Sequence, residues 1–136
     1  MDVSDAGNQP FSPPEYSRTH LICNGEIYNF KELRRNFNVT TKSESDCEVI
    51  PHLYHSCGIK KCVSMLDGVF AFALIDRDIV YFARDPIGVR PLFWGKSNDD
   101  YMFSSECKSL VSECSNVYTF PPGHIARLNL NDNSLI

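Results

Sequence analysis

Val69-Phe70-Ala71-Phe72-Ala73-Leu74-Ile75 is an unbroken apolar run between Asp67-Gly68 and Asp76-Arg77-Asp78. At seven residues it is shorter than a typical helix and rich in strand formers, which predicts a strand buried on both faces. A tight turn then leads into a second strand, Ile79–Ala83, closing a hairpin. Downstream, Asp85-Pro86-Ile87-Gly88 reads as another turn. Strands fit Leu92–Trp94 and Tyr101–Ser104, a short helix follows Ser105, and a last strand runs His124–Leu130 after Pro121-Pro122-Gly123.

Upstream of the run the pattern turns helical. Residues 7–18, with Pro10, Pro13 and Pro14, form an irregular lead-in, and Thr19–Cys23 is a short strand closed by Asn24-Gly25, a pair that tolerates left-handed backbone. Asn29 with Glu32 has the form of a reciprocally capped helix start, and Phe30, Leu33 and Phe37 give it one apolar face. Ser45 with Glu48 repeats that signal ahead of a stripe of Val49, Ile50, Leu53, Tyr54 and Cys57, with Gly58 as the stop. Pro51 conflicts with this second helix and should kink it. A third short helix fits Ile59, Cys62, Val63 and Leu66. Strands in succession with helices grouped between them indicate an α+β fold.

The 136-residue length suits one domain. Thirteen Lys+Arg against 17 Asp+Glu leave a formal charge of −4, and Lys31, Arg34, Arg35 and Lys42 fall mostly on one solvated helix face, so no nucleic-acid partner is expected. No apolar run reaches the roughly 18–20 residues of a membrane span. The acidic start, Met1 to Asp5, is unlike a secretory signal, so the expected address is cytoplasmic. There the six cysteines stay reduced. Cys47, His52, His55, Cys57 and Cys62 are the densest metal-ligating group, but they contain no C-x-x-C and mostly fit a helix pattern, so no metal site is expected.

Two places have the makings of chemistry. Asn24-Gly25-Glu26 combines an amide with a glycine N–H, the parts of an oxyanion-stabilising corner, or is a plain turn. Asp46 either complements a helix dipole or accepts a salt bridge from a ligand ammonium. Arg84-Asp85 and Arg90, around a Pro-Gly turn, read as ion pairs tying that loop down. Neither a phosphate loop nor a Ser/His/Asp set is identifiable.

From Asn24-Gly25-Glu26-Ile27-Tyr28-Asn29 onward the sequence resembles the glutaminase domain of asparagine synthetases, within the class II (N-terminal-nucleophile) glutamine amidotransferases. Ser45-Asp46-Cys47-Glu48-Val49-Ile50, Met65 to Phe72, Ala83 to Phe93, Phe103-Ser104-Ser105-Glu106-Cys107-Lys108 and Pro121-Pro122-Gly123-His124 follow in the family's order. The resemblance covers essentially residues 1–136, as a partial glutaminase domain without the ATP-using synthetase domain. It implies an αββα sandwich of the N-terminal-nucleophile hydrolase type, missing its first strands. It implies glutamine as substrate, Asn24 and Gly25 as the oxyanion hole, Asn24, Gly25 and Glu26 lining the pocket, and Asp46 on the α-ammonium. The family's reaction hydrolyses glutamine and passes ammonia to an ATP-activated aspartate. ATP and magnesium are expected only in the synthetase domain, and this chain is expected to hold no cofactor.

Two departures accompany the match. The family's nucleophile is a cysteine at the mature N-terminus, whereas this chain begins Met1-Asp2 and none of its six cysteines matches that position. The arginine that grips the glutamine carboxylate precedes the segment matching Met1. The expectation is negligible glutaminase activity and marginal stability, unless a synthetase subunit or the missing N-terminal segment completes the sandwich. The alternative is a non-catalytic module that binds glutamine or docks on a subunit.

Overall fold

The computed structural model describes residues 8–136; the acidic start at Met1 to Asp5 lies outside them. The decisive apolar run forms β2 (Gly68–Asp76), and it is buried from both sides. Phe70, Phe72 and Leu74 point into a core shared with the helices. Ala71 and Ala73 point the other way, into a second core between two sheets. The alternation of a strand, with aromatic side chains on one face and alanines on the other, produces both cores from one run.

β2 pairs antiparallel with β1 (Thr19–Ile27) on one side and β3 (Ile79–Arg84) on the other. β7 (Ile125–Asn129) and β8 (Ser134–Leu135) extend this sheet to the order β1-β2-β3-β7-β8. A second sheet has the order β5-β4-β6, from β4 (Phe93–Ser97), β5 (Asp100–Ser104) and β6 (Val117–Thr119). Arg77 and Asn98 take positive φ in the two-residue turns of their hairpins, the backbone that such connections demand, and Asn133 does so at the end of the four-residue turn before β8. Helices α1 (Phe30–Asn36), α2 (Val49–Cys57) and α3 (Ile59–Met65) cover the first sheet through Leu33, Val49, Ile50, Leu53 and Cys62. The short α4 (Lys108–Val111), with Leu110 buried, packs on β4 and β5. The layers are those of the expected α+β sandwich. The second sheet leaves one face of β1 uncovered, where Ile22 is 54% exposed.

Four local expectations need correction. Asn24-Gly25 does not end β1, which continues paired to Ile27. Asn29 makes no cap; its side chain donates to Met65 O (2.9 Å) and accepts from Asp67 N (3.0 Å), fastening α1 to the loop before β2. Ser45 makes no side-chain cap either, and the buried Glu48 carboxylate accepts instead from the Lys42 and Ser43 backbone N–H groups. Pro51 causes no conflict, because a 3-10 turn (Asp46–Glu48) precedes Val49 and leaves Pro51 in the first turn of α2, where its missing N–H costs nothing.

Candidate functional site

β1 is an edge strand among the described residues, and its odd-numbered residues turn their N–H and C=O groups outward. An open row of this kind is normally covered. Leu21 is covered by the backbone of Phe11, through N–H···O distances of 2.9 and 3.0 Å. Cys23 is covered by the side chain of Gln9, whose Nε2 donates to Cys23 O (2.7 Å) while its Oε1 accepts from Cys23 N (2.6 Å). The carboxamide thus stands in for a peptide group. At the far end, Ile27 N donates to Asp46 Oδ2. Gly25 lies between these covered positions, and the alternation of the strand aims its N–H into a cleft of about 730 Å³.

The glycine is dictated by packing. A Cβ there would lie 2.2 Å from Val69 O and 2.7 Å from Phe70 Cα, contacts that only a hydrogen permits. Its φ is not in the left-handed region. Its value to the strand is close approach to β2, not a turn conformation.

The cleft brings together all four residues singled out from the sequence, Asn24, Gly25, Glu26 and Asp46. Asn24, exposed on the uncovered face, also borders a smaller, mainly apolar cavity of about 270 Å³ over Ala71 and Ala73. Glu26 sits at the rim, 3.6 Å from Arg90 Nη2. Asp46 is half-buried on the 3-10 turn, held against β1 by its bond to Ile27. Glu26, Glu44 and Asp46 all line this cleft, which suits it to a cation such as an ammonium.

Gln9, Cys23, Cys47 and Arg90 also line it, and sequence reasoning assigned none of them to the site. Cys23 and Cys47 are buried. Cys47 Sγ donates to Gly25 O at 3.7 Å. The hydrogen bond that the Cys23 S–H donates to Cys47, burial and the nearby Asp46 charge push the Cys23 thiol well above its ordinary range, against a smaller pull from Arg90. Cys23 is therefore a neutral thiol near pH 7, and a poor nucleophile.

Arg90 is placed by a polar hub unlike the expected ion pairs. Asp85 is fully buried. Its Oδ1 accepts from Gly88 N (2.7 Å) and Val89 N (3.0 Å), and its Oδ2 from Phe70 N and Arg90 N (both 3.2 Å). Arg84 donates to Arg90 O (2.7 Å), Phe120 O (2.6 Å) and Gly88 O (2.9 Å). The loop is tied down, but by side chains satisfying backbone groups. The Cys/His grouping from 47 to 62 does not converge: His55 meets Thr19 (2.7 Å), Cys57 donates to Leu53 O and Cys62 to Ile50 O.

Comparison with known proteins places this cleft in context. Residues 1–128 match the model of the glutamine amidotransferase domain. An asparagine synthetase (glutamine-hydrolysing) of Oryza sativa is 45% identical over 124 residues, covering 88% of this chain and 21% of that protein. The Mus musculus asparagine synthetase is 41% identical over 139 residues, covering 96% of this chain and 25% of its own. The chain spans about a quarter of the length of these relatives. A glutamine phosphoribosylpyrophosphate amidotransferase from B. subtilis superposes with a TM-score of 0.81 at 27% identity, over 94% of this chain and 30% of that one.

Proposed function

This chain belongs to the glutamine amidotransferase domain family, and on that premise we propose that its cleft binds glutamine as the glutaminase unit of an asparagine-synthetase-like protein. The observation that carries the reading is the Gly25 N–H, directed into the cleft beside Asp46 while the neighbouring edge positions are covered. In this arrangement the glutamine carboxamide oxygen sits against Gly25 N–H and the Asn24 amide. Asp46 takes the α-ammonium, and Glu26 lines the rim. In the parent reaction the ammonia freed from glutamine amidates an ATP-activated aspartate, and ATP and magnesium belong to a synthetase domain outside this chain.

A second reading, a non-catalytic glutamine-binding or subunit-docking module, is favoured by one observation. Of the two cysteines that reach the cleft, Cys23 has its thiol pushed up and Cys47 is buried against β1. The cleft then supplies recognition and an oxyanion donor, an element worth about 10²–10³ in rate where a nucleophile is present. Calorimetric titration with glutamine tests the shared core of both readings: heat is expected, and Asp46→Ala should abolish it. No heat with the unaltered chain would refute them together. Ammonia release from glutamine that a thiol reagent blocks would decide between them in favour of catalysis.

A further inference from the structure

Cys23 and Cys47 reach the same cleft wall from different elements. Cys23 stands on β1, in the core shared with the helices, and Cys47 on the 3-10 turn ahead of α2. Cys47 Sγ lies 3.7 Å from Gly25 O, two residues along β1 from Cys23, and the Cys23 S–H donates to Cys47. The two sulfurs are therefore in contact. Cys57, Cys62 and Cys114 direct theirs to Leu53 O, Ile50 O and Met102 Sδ instead. At 8% and 3% exposure, Cys23 and Cys47 are closed to a bulky reagent, but the cleft of about 730 Å³ that they line admits a small one.

We propose that Cys23 and Cys47 form a dithiol site that a peroxide oxidises to a disulfide. The Cys47 sulfur, having given its proton to water, attacks one peroxide oxygen. The O–O bond breaks, Cys47 becomes a sulfenic acid, and the peroxide is reduced to an alcohol or to water. The Cys23 sulfur then attacks Cys47, its S–H proton leaves with the displaced hydroxide as water, and the S–S bond forms. The two thiols lose two electrons, and one peroxide takes them. The order of roles follows from the contact: Cys23, the donor, keeps its proton, and its S–H supports a thiolate on Cys47. Closing to an S–S distance of about 2.05 Å draws the 3-10 turn toward β1, because β1 is paired with β2 along its whole length. Cys47 then leaves Gly25 O, and the turn that carries Asp46 is stapled to the strand. A transient, redox-sensing disulfide is the kind that a reducing compartment tolerates. The site does not depend on which ligand the cleft takes.

The test is hydrogen peroxide treatment of the full chain, followed by acid quench, alkylation in denaturant and peptide mapping by mass. Most of the Cys23 and Cys47 signal should move into one linked peptide, lighter by two hydrogens than its parts and separated again by dithiothreitol. Cys23→Ser should leave Cys47 as a sulfenic acid that a cyclic diketone probe captures, and Cys47→Ser should leave Cys23 unmodified. Where a thermal melt shows a serine variant unfolded, phenylarsine oxide carries the test on the unaltered chain. This trivalent arsenical bridges two thiols and releases its oxygen as water, so it should protect Cys23 and Cys47 from alkylation together. Cys23 and Cys47 both recovered as free thiols, after peroxide has oxidised the exposed Cys107, would overturn the site. Either thiol linked chiefly to another cysteine, or the arsenical held elsewhere, would do the same. Cys23 captured as a sulfenic acid in Cys47→Ser would overturn the assigned order.

Discussion

Asp85→Asn should release the loop that positions Arg90. The carboxylate serves four backbone N–H groups, two on each oxygen. Asparagine keeps one acceptor oxygen and turns an NH2 group toward the other two donors. Hydrogen bonds to a charged group contribute about 1.5–3 kcal/mol each, and a buried donor left unpaired loses a similar amount. Water can reach the loop around Val89 but not Phe70 N–H, so the loss should come to about 3 kcal/mol, the lower part of that range summed over two bonds. With a urea m-value of about 1.5 kcal/mol/M, the unfolding midpoint should fall by about 2 M. The pH dependence supplies an independent check. Burial pushes the Asp85 carboxyl up, but bonds from Val89, Arg90, Gly88 and Phe70 outweigh it and hold the group below its ordinary value. A depressed folded pKa stabilises above the unfolded value, about 4, and that stability is lost as pH falls through the folded value. The unaltered chain should therefore weaken below about pH 4, with a flatter acid limb in Asp85→Asn. A midpoint shift worth less than about 0.5 kcal/mol, the usual size of a neutral surface change, would refute the hub as the determinant of this loop.

Gly25→Ala places a methyl 2.2 Å from Val69 O, so β1 must lift from β2. Urea unfolding should show a loss of about 1–3 kcal/mol, and calorimetry a loss of glutamine binding; wild-type values for both would remove Gly25 from the site. Gln9→Ala strips the cover from Cys23 and gives up two bonds, for an expected loss of about 1–2 kcal/mol. Gln9→Glu should be similarly destabilising, since a carboxylate cannot donate to Cys23 O; a Gln9→Glu chain as stable as the wild type would show that the edge cover is incidental.

The two-faced β2 and its hairpin were legible because seven consecutive apolar residues allow few other solutions. Asn24, Gly25, Glu26 and Asp46 were legible through family resemblance, and the cleft gathers all four. What stayed hidden was non-local. Gln9 meets Cys23 across 14 positions through a side chain imitating backbone, which no periodicity encodes. Asn24-Gly25 carried a turn's composition, but the constraint on Gly25 comes from β2 across the sheet. The capping signals at Asn29 and Ser45 failed because Met65 and Asp67 claimed Asn29 from across the fold and the loop just before the turn claimed Glu48. β6 and β8, short and partly exposed, have no apolar pattern to announce them.

Strand β2 has neighbours on both edges and a packed layer above and below. In deuterated solvent its amide hydrogens should be the last to exchange, since only global opening exposes them. The outward amide of Gly25 needs no opening at all. A gradient of breathing motions thus runs across a single strand pair, so the proposed chemistry lies on the rim that the slowest-exchanging part of the molecule holds in register.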